Sequence, residues 1–98
     1  MGTAKAALEH SVRQLAFELG PRNIRVNAIS PGAIPTASAR AVRGFREFHW
    51  EYQMRSSLGR HVSQEEVGKA ALFLASDLSS GVTGETVFVD AGYNIVGI

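Results

Sequence analysis

Two short runs of this sequence are apolar without alternation. Val26, Ala28 and Ile29 lead into Pro31-Gly32, and Thr86-Val87-Phe88-Val89 is closed by Asp90-Ala91-Gly92. A strand with no polar face has both faces covered, as in a parallel sheet packed between helices. Parallel neighbours require a right-handed crossover, and a helix between the runs supplies it. Ser63-Gln64-Glu65-Glu66 is a capping box, in which Ser63 accepts from the helix start and Glu66 reaches back. The helix it opens is predicted to run to about residue 75, with Val67, Ala70, Ala71 and Leu74 on its buried face. The fold class is therefore α/β. The Pro31-Gly32 end of the first strand lies where such sheets bind ligands, just beyond the carboxyl ends of the strands.

A helix is predicted over Gly2–Leu19. Ala4, Ala7, Leu8, Val12, Leu15, Ala16 and Leu19 recur at three- and four-residue steps, and Gly20-Pro21 stops the run, the glycine as a left-handed cap. No Ser, Thr, Asp or Asn precedes its first turn, so the helix reads as cut at its N-terminal end rather than begun there. Two strands alone leave both sheet edges open, and a chain of 98 residues buries little surface. The expectation is a piece of a larger α/β layer structure.

Between the first strand and the capping box, residues 37–43 suit a short helix ended by Gly44. Residues 45–55 are rich in aromatics, with Phe45, Phe48 and Tyr52 on one helical face. The stripe fits core packing or an amphipathic flap over a pocket mouth, since Gly44 and Gly59 bracket it and Arg43, Arg46, Arg55 and Arg60 accompany it. Residues 76–84 carry turn chemistry, and the apolar tail after Gly92 is expected to dock.

Composition excludes several classes. Ten basic and nine acidic side chains leave a net charge of +1, which gives no basis for binding nucleic acid or an anionic membrane. There is no cysteine, hence no disulfide scaffold, thiolate metal site or cysteine nucleophile. His10, His49 and His61 lack metal-ligand spacing and read as surface or loop residues, so no metal site is expected. No strand-Gly-x-Ser-x-Gly-helix elbow supports a hydrolase triad. Lys5, Glu9, His10, Arg13 and Glu18 put too much charge in the first helix for a signal peptide or a membrane span, so a soluble, cytoplasmic protein is expected.

Three features taken together resemble the short-chain dehydrogenase/reductase family: Lys5 near the start of a helix; Asn27 leading through Pro31-Gly32 to Ile34 and Thr36; and Val82-Thr83-Gly84 followed by Val87, Val89-Asp90 and Gly92. Met1-Gly2-Thr3-Ala4-Lys5, residues 20–30, Gly44-Phe45-Arg46 and Asp90-Ala91-Gly92-Tyr93-Asn94 are most similar to its NADH-dependent enoyl-[acyl-carrier-protein] reductases. The resemblance covers residues 1–98 as one partial domain. It implies the C-terminal part of a Rossmann-like, doubly wound parallel sheet, here two strands with flanking helices.

The implied activity is hydride transfer from NADH, with NADPH an alternative, to a trans-2-enoyl thioester on acyl carrier protein. Lys5 is then the catalytic lysine, binding the cofactor ribose and favouring a tyrosinate. Ile34, Pro35, Thr36, Ala37 and Ser38 match the nicotinamide-side loop. Residues 37–60 match a substrate-binding flap whose Phe45 and Phe48 face the acyl chain, which favours the flap over core packing. In ordinary members the catalytic tyrosine stands four residues before the lysine, where this chain has Met1. In the enoyl reductases it stands further ahead, which places it before this chain. The glycine-rich pyrophosphate turn also has no counterpart, so the chain alone is expected to be inactive. Full-length members commonly form homotetramers. Because Pro31-Gly32 follows the wider family pattern, a keto-group reductase of the same family remains an alternative, as does a truncated non-catalytic paralogue that pairs with a full-length subunit.

Overall fold

The computed structural model describes residues 2–32, 41 and 43–96, with the backbone alone at residues 2, 3, 5 and 45. In chain order the elements are α1 (Gly2–Leu19), β1 (Ala28–Pro31), α2 (Phe45–Arg55), α3 (Gln64–Ala75) and β2 (Thr86–Val89). Short 3-10 turns occur at Gly20–Arg22, Asp77–Ser79 and Tyr93–Ile95. The two strands pair in one sheet. Gly84 N–H donates to Val26 O (2.8 Å), Ala28 N–H to Glu85 O (2.8 Å) and Gly32 N–H to Val89 O (2.9 Å). The partners advance together along the chain, so the pairing is parallel, as the continuous apolar runs require. β1 begins two residues later than the apolar run suggests. At Val26 and Asn27 side chains take over from the ladder: Val26 N–H donates to Thr83 Oγ1 (3.1 Å), and Glu85 N–H to Asn27 Oδ1 (3.1 Å).

The chain divides into two compact units, Met1–Ile29 with Ala70–Val87 and Ser30–Lys69 with Phe88–Ile98. In the first, Val12 and Ala16 are the buried residues of α1, and a Cβ at Gly84 would stand 3.5 Å from the Ala16 Cβ. The remainder of the predicted apolar face is more open. Ala4, Ala7, Leu8 and Leu15 are exposed and Leu19 is half-buried, while Phe17, outside that face, is 84% exposed.

Arg25 organises the turn after α3. Its Nη1 donates to Ser79 O (2.9 Å) and Ser79 Oγ (2.8 Å), and its Nη2 donates to Ser76 O (3.2 Å). Ser79 is only 1% exposed, and its hydroxyl donates to Leu74 O at 2.9 Å. The Asn27 amide adds a bond to Val82 O at 2.9 Å.

The stop after α1 differs from the expected glycine cap. The chain continues through the 3-10 turn with Pro21 near its start, where a missing N–H costs nothing. The left-handed residue is Asn23 (φ 60°), whose N–H closes on Gly20 O at 2.8 Å. Asparagine is among the few non-glycine residues that tolerate this region.

The capping box of α3 forms as read. Glu66 N–H donates to Ser63 Oγ (3.1 Å) and Ser63 N–H to Glu66 Oε1 (3.0 Å). The predicted buried face is less deeply covered: Val67, Ala70 and Leu74 are half-buried and Ala71 is exposed. The strands are likewise half-buried rather than enclosed, with Pro31 and Phe88 exposed. Two strands and a few helices offer too few neighbours to cover both faces of every element. The expected short helix over residues 37–43 lies outside the described residues apart from Ala41 and Arg43, which are in turns.

Candidate active site

In the second unit, the carboxyl ends of both strands meet the side chain of Tyr52. α2 starts after Gly44, which is left-handed (φ 82°). Its aromatic stripe turns Tyr52 inward to 4% exposure and leaves Phe48 53% exposed. The Tyr52 hydroxyl donates to the backbone carbonyl of Asp90 at 3.0 Å. It also lies against Gly32. A Cβ at Gly32 would overlap the Tyr52 hydroxyl and stand 3.1 Å from the Asp90 Cα. Glycine is required here by close approach, not by backbone angle.

The turn after β2 is equally specified. Ala91 (φ 57°) and Gly92 (φ 83°, ψ 11°) are both left-handed, and Tyr93 N–H closes on Asp90 O at 3.1 Å. This is a type I′ geometry with alanine at a position that favours Gly, Asn or Asp. The buried Asp90 carboxylate holds it, accepting from Gly92 N–H (3.1 Å) and Asn94 N–H (2.9 Å). The segment after α2 docks on the same turn. Leu58 N–H donates to Ala91 O at 2.9 Å, and a Cβ at Gly92 would overlap Ser57.

Around Tyr52 the rings are nearly parallel. Tyr93 stacks at 4.2 Å between centroids and 10° between planes, and His61 at 5.2 Å and 13°. His61 in turn stacks on His49 at 3.8 Å and 13°. Its Nε2 lies 2.9 Å from the His49 carbonyl, which can only accept, so Nε2 carries the proton. His49 and His61 are thus half-buried stacking partners rather than plain surface residues, and no cluster of metal-ligating groups occurs among the described residues. Phe48 leans on Tyr52 at 6.2 Å with a 50° tilt.

Further along, Arg60 pairs bidentately with Glu66 (Nη1–Oε1 2.9 Å, Nη2–Oε2 3.0 Å). That pair, with the Ser63 N–H, lowers the Glu66 carboxyl to about 2, while Glu66 raises the Arg60 guanidinium. No helix among the described residues is long and apolar enough to cross a membrane.

Of the residues singled out in the sequence, Lys5 lies in the first turns of α1, and Phe45 is the first residue of α2. Only the backbone of these two is described. Ile34, Pro35, Thr36, Ala37 and Ser38 lie outside the described residues, and Phe48 is on the open side of α2. Sequence reading missed the part played by Tyr52. Its place in the aromatic stripe was visible, but its partners at Gly32, Asp90 and Tyr93 were not.

The family described as Enoyl-(Acyl carrier protein) reductase matches residues 1–94. Enoyl-[acyl-carrier-protein] reductase [NADPH] FabI of Staphylococcus aureus (strain MRSA252) is 56% identical over 96 residues, covering 98% of this chain and 38% of the relative. Enoyl-[acyl-carrier-protein] reductase [NADH] FabI of Synechocystis sp. is 54% identical over 98 residues, covering 100% of this chain and 38% of that protein. Among solved structures, the Bacillus cereus enoyl-acyl carrier protein reductase with NADP+ and indole naphthyridinone superposes with a TM-score of 0.93 at 54% identity, covering 100% of this chain and 38% of that one. The Anaplasma phagocytophilum reductase in complex with NAD gives 0.92 at 48% identity, covering 100% and 37%. This chain spans well under half the length of these relatives. With a match from Met1 through Asn94 and more than half of the aligned residues identical to the curated relatives, the chain belongs to the enoyl-(acyl carrier protein) reductase family.

Proposed function

We propose that this chain supplies the C-terminal part of a reductase that acts on trans-2-enoyl thioesters carried by acyl carrier protein. The observation that carries the reading is the extent of the match, 54% identity across 100% of the chain to the Synechocystis enzyme. Pro31-Gly32 lies at the carboxyl end of β1, where α/β sheets hold their ligands.

The donor set suits a nicotinamide dinucleotide. The Lys5 ammonium matches ribose hydroxyls, and the Ile34 backbone and the Thr36 hydroxyl match a carboxamide. Pro35, Ala37 and Ser38 complete that loop. When bound, the reduced cofactor supplies a hydride to the β-carbon of the substrate. Negative charge then develops on the thioester oxygen and needs a positioned donor. Lys5 serves that donor by favouring a tyrosinate through its positive charge. In this reading Phe45 and Phe48 take the role of substrate-binding residues for the acyl chain. NADH or NADPH fits the reading, since relatives named for each are similar to this chain.

The tyrosine and the glycine-rich turn of the family have no counterpart in these 98 residues, so the chain by itself is expected to be inactive. Leu8, Phe17, Leu72 and Leu78, each at least 60% exposed, fit burial against further polypeptide. In its complete form the reductase is read as a cytoplasmic homotetramer.

The test joins the portion of the Bacillus cereus FabI relative that this chain does not match to residues 1–98. Oxidation of NADH or NADPH is then followed with a crotonyl thioester and with an acetoacetyl thioester. The expected result is turnover of the enoyl substrate alone. A folded chimera that binds the dinucleotide but reduces only the keto substrate would move the assignment to a keto-group reductase.

A further inference from the structure

We infer that Tyr52 is a positioning residue for the acyl-thioester subsite, acting through Phe48. The inference rests on the enoyl reductase reading above, which sets Phe48 against the acyl chain. Within the second unit, Tyr52 is the most deeply buried aromatic ring among the described side chains of α2, at 4% exposure, and it touches the carboxyl end of both strands. Its hydroxyl reaches Asp90 O at 3.0 Å and lies against Gly32, where no side chain can be added without overlap. One face of its ring is engaged by Tyr93 at 4.2 Å, and His61 stacks at 5.2 Å. Phe48, one turn earlier on the same helix, leans on this ring at 6.2 Å and presents 53% of its surface outward. Residues four apart on a helix lie one above the other, so fixing Tyr52 fixes the face that carries Phe48.

This arrangement explains why a tyrosine and not a phenylalanine suits the position. The ring alone would stack, but without the hydroxyl bond it could slide along Tyr93. The bond to Asp90 O sets the depth of α2 over the strand ends, and with it the reach of Phe48. Gly32 preserves the space into which the hydroxyl fits.

The experiment uses the Bacillus cereus chimera and compares wild type with Tyr52→Phe, Tyr52→Leu, Phe48→Ala and Tyr52→Leu with Phe48→Ala. Tyr52→Phe is expected to raise KM for the crotonyl thioester about fivefold, the worth of one neutral hydrogen bond. KM for the dinucleotide and kcat should stay within about twofold, a split expected when uniform substrate binding alone is weakened. Tyr52→Leu should raise the thioester KM further, and adding Phe48→Ala to it should change little, because both act through one contact. Tyr52→Phe keeps the ring and the stack, so its KM remains readable if Tyr52→Leu fails to fold. An unchanged thioester KM in Tyr52→Phe, an equal rise in both KM values, or full additivity with Phe48→Ala would overturn the inference while leaving the enoyl reductase reading intact. A wild-type chimera that does not reduce the enoyl thioester would instead remove that reading, and the inference with it.

Discussion

In the first unit, Arg25 reaches the carbonyl oxygens of Ser76 and Ser79 and the Ser79 hydroxyl; in the second, Tyr52 reaches aromatic rings and the Asp90 carbonyl. Both residues join stretches far apart in sequence, and both act on a turn beside the sheet. The Arg25 clamp is directional and charge-assisted, and it adds a charged donor to two turn carbonyls, Ser76 O and Ser79 O, that also accept from Ser79 N–H and Val82 N–H. The Tyr52 contact is mostly shape, and its hydroxyl bond to Asp90 O sets its depth. A polar clamp costs the fold most when a partner is lost, whereas a stacked ring keeps its stack without the hydroxyl, at the cost of its depth, and destabilises the fold when its space is filled.

This contrast can be broken from either side. The largest effect is expected from Arg25→Met, which keeps the length of the stem but removes the guanidinium from the buried Ser79. A loss of about 1.5–3 kcal/mol in denaturant unfolding is expected, the scale of a hydrogen bond made by a charged group. Arg25→Lys should recover only part of this, because an ammonium cannot reproduce the planar fork. Full recovery by lysine would show that charge, and not geometry, holds the turn.

Gly32→Ala comes next, at about 1–3 kcal/mol, the usual cost of forcing an extra methyl into a packed site. The Asp90 Cα, 3.1 Å from the added methyl, is backbone and cannot swing aside. Combining Gly32→Ala with Tyr52→Phe should restore part of the loss, since the overlapping hydroxyl is then absent. Strict additivity of the two changes would mean that Tyr52 and Gly32 do not share the space.

The smallest effect concerns Glu66. Its carboxyl is lowered from 4.5 to about 2, chiefly by the Arg60 hydrogen bond and then by the Ser63 N–H. A depressed carboxyl stabilises the fold fully above 4.5 and loses that contribution as pH falls toward 2. The pair is exposed, so the effect on melting temperature between pH 5 and pH 2 should be slight. Glu66→Gln should flatten that part of the profile, and a wild-type profile no steeper than that of the variant would contradict the assignment.

Legibility in the sequence follows the same division. α1, α3 and β2 were readable because their signals are local: apolar residues at helical steps, a capping box within four residues, and an unbroken apolar run. The parallel pairing followed from both runs lacking a polar face. The left-handed residue after α1 was misplaced because Gly20 looked like the cap, whereas Pro21 carries the chain into a further turn that ends at Asn23. The contacts of Arg25 and Tyr52 were not readable. Their partners lie 54 and 38 residues away, and nothing in local spacing selects Ser79 or Asp90 from other residues. The stacked His49 and His61 were dismissed for lacking metal-ligand spacing, a test that says nothing about stacking. The roles of Lys5 and residues 34–38 came from family resemblance. They remain a proposal for the chimera to test.

The most direct test of the enoyl reductase reading is the turnover of crotonyl thioester by the chimera with and without Lys5→Met. Methionine keeps much of the stem and removes the ammonium. The account predicts that the unaltered chimera reduces the enoyl thioester and that Lys5→Met lowers kcat/KM by about a hundredfold or more, the scale of a lost contribution to acid–base catalysis. Folding is to be verified by far-UV circular dichroism. A folded Lys5→Met chimera with undiminished enoyl reduction would contradict the account.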